Sequence, residues 1–297
     1  MKCIVQSNLF DEAGYRHFVE ALERLGLDYQ VVKPVPFTNI LLPEDFDSAT
    51  QNIEDVEPPV IDNSQKVIAM GATSMTRIAK NLGWNPGTYH NENFDYEVWR
   101  DGFGKENVLN PDGIVGRVCD YFDLSEFDDN VFVRPVHDTK TFSGEVMTKD
   151  QFHDWKQSIS FVDQQLSEEM LEDGVEILNR DTVIVVASAK KIYREYRMFV
   201  VDNKVITGSL YKMGNIVKSD EYVEREVVWF TYGMIQTWQP APAFVIDIAE
   251  TDFGYKVIEI NCINSAGYYA ADVQKIIMAL EDLNRFDSEW EPCGILI

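Results

Sequence analysis

Basic residues are scarce in this chain, and histidine and cysteine are scarcer still. Against 50 Asp and Glu stand only 26 Lys and Arg, a formal net charge of −24. A surface of that sign repels phosphate backbones and anionic lipid, so no nucleic-acid or membrane partner is expected. Any phosphorylated substrate must instead be held by a few cations concentrated in a pocket. The plainer reading of the excess acid is solubility. The 4 cysteines, Cys3, Cys119, Cys262 and Cys293, form no CxxC pair and read as reduced core cysteines in a cytoplasmic protein. His17, His90, His137 and His153 are scattered without ligand spacing. No apolar run reaches the roughly 18 residues of a membrane span, and no basic-then-apolar leader is seen, so the chain reads as soluble and not exported. There is no GxGxxG, no internal repeat and no low-complexity linker.

What is present is a pair of apolar strands with carboxylates inside them. Phe244 to Asn261, FVIDIAETDFGYKVIEIN, sets Asp247, Glu259 and Asn261 among Val and Ile. Burying carboxylates among large apolar side chains costs several kcal/mol unless something pairs with them. Glu259 and Asn261 are two apart and share a strand face, with Ile258 and Ile260 on the other. If the turn at Thr251 to Gly254 pairs Asp247 with Glu259, all three oxygen-bearing side chains converge, and a slip of one residue would scatter them. Two carboxylates and an amide suit Mg²⁺, which takes its remaining ligands from water and nucleotide phosphates.

Cations for such phosphates lie on strands and in one loop. Arg134 sits in the strand VFVRPV, followed by HDTKTFSGEV, where Lys140, Thr141, Ser143 and Gly144 form a loop whose backbone N–H groups can approach phosphate. His137 heads this loop, as a functional or a merely solvated residue. TVIVVAS is a further strand, followed by Lys190 and Lys191. IYREYRMFVVDNKVITGSLY reads as a hairpin turning at Asp202 and Asn203, with Arg194, Glu195 and Arg197 at its start. Taken singly, each has a bland reading: Arg134 as an ion-pair partner, the lysines as solvated, Asp247 as a strand-edge residue.

Along the rest of the chain, KCIVQS is a first strand and Glu12 to Leu25 an amphipathic helix with Phe18, Leu22 and Leu25 on one side. YQVVKPVPF is a second strand, followed by an irregular stretch to Pro59. QKVIAMGATS runs strand, glycine, helix start. Gly83 to Asn110 reads as an ordered loop region, Asp112 to Phe122 as a linking helix, Asp220 to Trp238 as a helix and Tyr268 to Phe286 as a closing helix.

The order of a basic strand ending in Pro, a small-residue loop, a hinge strand, an Arg-led hairpin, then Asp and Glu-x-Asn resembles the ATP-grasp superfamily, over roughly Asp129 to Phe286. Arg134 stands where most members carry Lys, which resembles a clade of predicted amide ligases common in bacterial and phage genomes. The resemblance implies an α/β fold: a Rossmann-like pre-ATP-grasp domain over 1–115, then an ATP-grasp domain over 116–297 with mixed and antiparallel sheets. It implies ATP and Mg²⁺ (or Mn²⁺) as cofactors, the cation on Asp247, Glu259 and Asn261. Arg134, Lys140 and Arg197 would be catalytic. Nucleotide would contact Arg134, Lys140, Ser143, Gly144, Val186, Ala187, Lys191 and Glu195, with adenine at the TVIVVAS hinge. Arg197, Asn264, Ser265 and Tyr268 would meet the acceptor, unless Asn264 or Ser265 serves only as a helix cap. The implied reaction is carboxylate–amine ligation through an acylphosphate, on small-molecule or peptide substrates, by a monomer or homodimer in the cytoplasm (the host's, if phage-encoded). A phosphotransferase and a non-catalytic nucleotide-binding protein remain alternatives, separated from a ligase by whether ADP release needs an amine.

Overall fold

The structure is a computed structural model that describes residues 1–9, 15–36, 38–138, 141–163 and 178–285. Its first half is built on β1 (Lys2–Gln6), β2 (Tyr29–Pro34), β3 (Leu41–Pro43), β4 (Val67–Met70) and β5 (Pro86–Gly87). The sheet order is β3-β2-β1-β4-β5. β1, β2, β4 and β5 run parallel, and β3 closes one edge antiparallel. All four residues of β4 are buried, as a parallel strand covered on both faces requires. Helix α1 (Tyr15–Leu25) buries Tyr15, Phe18 and Leu22. It stops at Gly26, whose φ of 63° closes the last turn with Leu27 N–H on Leu22 O. Helix α2 (Ser74–Asn81) follows β4.

The region read as loop between Gly83 and Asn110 holds helix α3 (Tyr96–Phe103), with Tyr96, Trp99 and Phe103 buried at helical spacing. The expected helix over Asp112 to Phe122 is instead strand β6 (Ile114–Arg117). Its β-branched pair and Gly116 are poor helix formers, and pairing with β9 (Val183–Ser188) decides the matter, Ile114 opposite Val186. β7 (Asn130–Pro135) and β8 (Glu145–Thr148) complete this sheet in the order β6-β9-β7-β8, and helix α4 (Lys149–Asp163) follows.

The last sheet is antiparallel, in the order β12-β11-β10-β13-β14. β10 (Arg194–Val201) and β11 (Lys204–Met213) turn through Asp202 (φ 50°) and Asn203 (φ 61°), the left-handed pair of a type I′ hairpin, as the sequence predicts. β12 (Ile216–Asp220) ends on the residue where the next helix was expected to begin, residues 221–224 are irregular, and helix α5 spans Arg225–Thr237. β13 (Ala243–Thr251) and β14 (Gly254–Cys262) lead to helix α6 (Val273–Arg285), which starts five residues later than expected. One apolar core joins β1, α1, β10 and α6 through Val5, Phe18, Leu22, Tyr196, Met198, Ile276 and Leu280. Cys3 belongs to it, its thiol pushed up to about 12 by burial; Cys3, Cys119 and Cys262 form no disulfide among the described residues, and Cys293 lies outside them.

Gly144 closes the loop that joins β7 to β8. A Cβ there would lie 2.7 Å from Phe132 Cζ and 3.6 Å from Arg134 Cβ. Gly144→Ala is therefore expected to displace the Phe132 ring beside Arg134 and cost about 1 kcal/mol, at the low end for overpacking because the ring can swing. Urea unfolding measures it; unchanged stability would show that the loop yields freely.

Candidate active site

Two neighbouring strand pairs set the site. In β10 and β13 Arg197 stands opposite Asp247, and in β13 and β14 Asp247 stands opposite Glu259. Antiparallel partners share a face, so the three side chains form a row across the sheet. The turn at Thr251–Gly254, with Gly254 at φ 84°, pairs Ile248 with Val257, and a bulge at Ile258 then shifts the register by one residue to bring Glu259 opposite Asp247. Arg197 grips Asp247 through two bonds, Nε to Oδ1 at 2.9 Å and Nη2 to Oδ2 at 2.7 Å. Asn261 Nδ2 lies 3.3 Å from Asp247 Oδ2 and 3.1 Å from Glu259 Oε1, so the expected convergence of the three residues is present.

Asp247 is wholly buried, and loss of solvent raises its carboxyl to about 6 against the lowering effect of Arg197; Glu259 adds a smaller push upward. Arg197 is raised in turn by the Asp247 charge and hydrogen bonds, although burial opposes this. With two charge-assisted bonds holding it, Asp247 is a carboxylate at neutral pH.

The other sheet contributes the second cation. Arg134, on β7, reaches Glu259 Oε2 with Nη1 at 2.8 Å, donates from Nε to Pro135 O, and lies over the Trp99 ring of α3 at 5.9 Å. The two sheets are therefore bridged by one arginine on one carboxylate. Beyond Arg134, Asp138 Oδ2 accepts the Cys262 N–H at 3.0 Å, and His137 Nδ1 lies 2.7 Å from Asp95 Oδ1.

Sequence reasoning missed an aromatic wall beside Arg197. Tyr211 and Tyr269 stack at 4.9 Å between centroids, and the guanidinium lies 5.5 and 5.1 Å from their rings. Tyr211 is the extra residue of a bulge, since Glu195 pairs with Lys212 and Tyr196 with Leu210. Its hydroxyl donates to Glu195, which Lys212 also holds at 2.7 Å. The doublet Tyr268–Tyr269 was the available signal, and the sequence reading named only Tyr268. Tyr268 is buried on Phe18, Tyr15 and Phe199, whereas Tyr269, left-handed at φ 51°, turns to Arg197.

Other expected contacts are placed elsewhere. The Asn264 side chain is buried, donating to Ala69 O and accepting from Tyr89 N, so it ties the first half to the second instead of facing a cleft. Ser265 is half-buried at the end of a short 3-10 turn. Val186 packs beneath the four-stranded sheet with Phe122 and Ile184, and Ala187 is buried beside it, so β9 can offer its backbone there. Lys190 is paired with Asp112, and Lys191 with the Tyr193 hydroxyl at the far turn of the last sheet. Ser143 and Gly144 are exposed; Lys140 lies outside the described residues.

Residues 113–280, more than half of the chain, match the family described as ATP-grasp domain, R2K clade family 3. The chain belongs to this ATP-grasp family. Solved structures agree in fold. D-alanine–D-alanine ligase from Bacillus anthracis, complexed with ATP, is 11% identical with a TM-score of 0.57, over 96% of this chain and 98% of that one. D-cycloserine synthetase DcsG is 10% identical with a TM-score of 0.56, over 95% and 98%. L-amino acid ligase from Bacillus licheniformis is 12% identical with a TM-score of 0.56, over 98% of this chain and 78% of that one. Curated proteins show no sequence match.

The ATP-grasp row fits a hard divalent cation in donor chemistry. The Asn261 amide marks a point shared by carboxylate oxygens of Asp247 and Glu259, and exchanging its O and N would ring that point with oxygen. Two arginines already balance the two carboxylates, so no surplus negative charge draws a cation alone. Among the described residues no group of three His, Cys, Asp or Glu side chains offers a separate metal site, and no helix is long and apolar enough to cross a membrane.

Proposed function

We propose that the chain is an ATP-dependent carboxylate–amine ligase, acting on small-molecule or peptide substrates through an acylphosphate. The row Arg197–Asp247–Glu259–Arg134, spanning two sheets, carries this reading. ATP would lie between those sheets, against β9 and the loop at Ser143 and Gly144, with residues 1–115 as the domain that closes the acceptor side. Asp247, Glu259 and Asn261 would hold Mg²⁺, which neutralises β- and γ-phosphate charge when bound. Arg134 would exchange part of its grip on Glu259 for a phosphate oxygen, as a guanidinium can do bidentately. Arg197, fixed by Asp247 and free of titration, would steady charge on the transferring phosphoryl group. The substrate carboxylate attacks the γ-phosphorus, ADP leaves, and an amine then displaces phosphate. No protein nucleophile is needed.

ADP release is expected to require a carboxylic acid, and hydroxylamine to trap the acyl group as a hydroxamate. The measurement pairs ATP and Mg²⁺ with a panel of acids, reading nucleotide products and hydroxamate. AMP with pyrophosphate would refute the acylphosphate route, and ADP with a stable phosphorylated product would make the chain a phosphotransferase.

A further inference from the structure

An aliphatic amine is protonated at neutral pH, and its nitrogen cannot attack until a proton leaves. The arginines of the row remain charged, and both carboxylates are committed to them. His137 is differently placed. Arg134 is bonded to Glu259 and Asp138 to the Cys262 N–H, so residues 134–138 run along β14 from Glu259 to Cys262 with His137 inside that stretch. Its side chain is 46% exposed, which leaves the ring open on one side. Its Nδ1 lies 2.7 Å from Asp95 Oδ1. A carboxylate only accepts, so Nδ1 carries a proton, and in the neutral imidazole the lone pair is then on Nε2. The ring is aimed by a second tie as well, because Tyr96 N–H, next to Asp95, donates to Val136 O at 3.0 Å. The first residues of the loop are thus fixed to α3 by backbone and side chain together.

We propose that His137 Nε2 is the general base for the acceptor amine, with Asp95 as its positioning residue, and that the acceptor class is a primary aliphatic amine such as an amino acid or a peptide N-terminus. This rests on the ligase reading. In the step R–CO–OPO₃²⁻ + R′–NH₃⁺ → R–CO–NH–R′ + HPO₄²⁻ + H⁺, Nε2 takes one proton from nitrogen. The nitrogen lone pair forms the C–N bond, the C–O bond breaks with its electrons going to phosphate, and the second nitrogen proton leaves with that phosphate. His137 then returns its proton to water.

Hydroxylamine is unprotonated at neutral pH and needs no base, so it separates this role from a structural one. Wild type, His137→Gln and Asp95→Asn are given ATP, Mg²⁺ and a mixture of the protein amino acids, with and without hydroxylamine. In His137→Gln amide formation is expected to fall about 10²-fold while hydroxamate formation falls less than about threefold. Asp95→Asn should lie between, with the same bias toward hydroxamate. Equal loss of both products, with an unchanged melting temperature, would make the pair a loop tie and overturn the proposal, as would full amide formation by His137→Gln. A wild type that yields neither amide nor hydroxamate would overturn the ligase reading, and this inference with it.

Discussion

Glu259→Gln is expected to lower acid-dependent ADP release by about 10²–10³-fold, the scale set by removing one electrostatic group from a transition state. Two losses coincide. The amide cannot supply a charged oxygen to the proposed cation, and Arg134 loses the carboxylate that its Nη1 meets at 2.8 Å. The second loss is separable, because Arg134→Ala removes the guanidinium and leaves Glu259 as a ligand. That variant should raise the dissociation constant for the nucleotide more than Arg134→Lys does, since lysine keeps the charge and loses only the fork. Folding should survive in Glu259→Gln, because Glu259 is half-buried at the edge strand β14 and Asn261 can still donate to the new amide oxygen. Steady-state ADP release with a saturating acid, beside a thermal melt, makes the measurement. Full turnover at ordinary Mg²⁺ would remove Glu259 from the cation site.

The acidic half of this site was largely legible in the sequence because its residues lie in one hairpin. Period-two spacing puts Glu259 and Asn261 on one face and the turn ending in Gly254 pairs the strands, but that turn alone would set Asp247 opposite Ile258, and the bulge that brings Glu259 there has no local signal in the sequence. The cationic half was legible only as composition. That Arg197 pairs with Asp247 requires β10 to lie beside β13, a neighbour 50 residues away in the chain, and nothing local in REYRMFVV specifies it. Trp99 over Arg134 and Asp95 on His137 depend on α3, a helix read as loop because it is only eight residues long and Gly102 and the aromatic residues obscured its 3.6-residue period. Tyr269 was missed for a backbone reason: a left-handed residue reverses the side on which its ring emerges, and a strand-to-helix reading does not anticipate that. Strand β6 straddles positions 115 and 116 and pairs with β9, Ile114 opposite Val186, so a distant partner and not the local sequence makes these residues a strand.

Arg197→Met is expected to destabilise the protein by about 3–5 kcal/mol, because it leaves the fully buried Asp247 without its partner. At this chain length that lowers the melting temperature by about 10 °C. The pair itself need not be strongly stabilising, so Arg197→Met combined with Asp247→Leu should recover most of the loss while remaining inactive. The defect also has a pH signature. In the wild type Asp247 is raised from 3.8 to about 6, so between those values the folded state holds a proton that the unfolded state has lost. Stability from this group is therefore greatest below pH 4 and declines as pH rises toward 6. Removing Arg197 takes away the charge and the two bonds that oppose the effect of burial, which moves the upper edge of this window to higher pH. Between pH 8 and pH 5 the single variant should then regain stability relative to the wild type, as Asp247 neutralises and its buried charge disappears. Denaturation midpoints for both proteins across that range decide it. A gap that stays constant with pH would mean that Asp247 keeps its charge without Arg197, through Asn261 or water that enters the site.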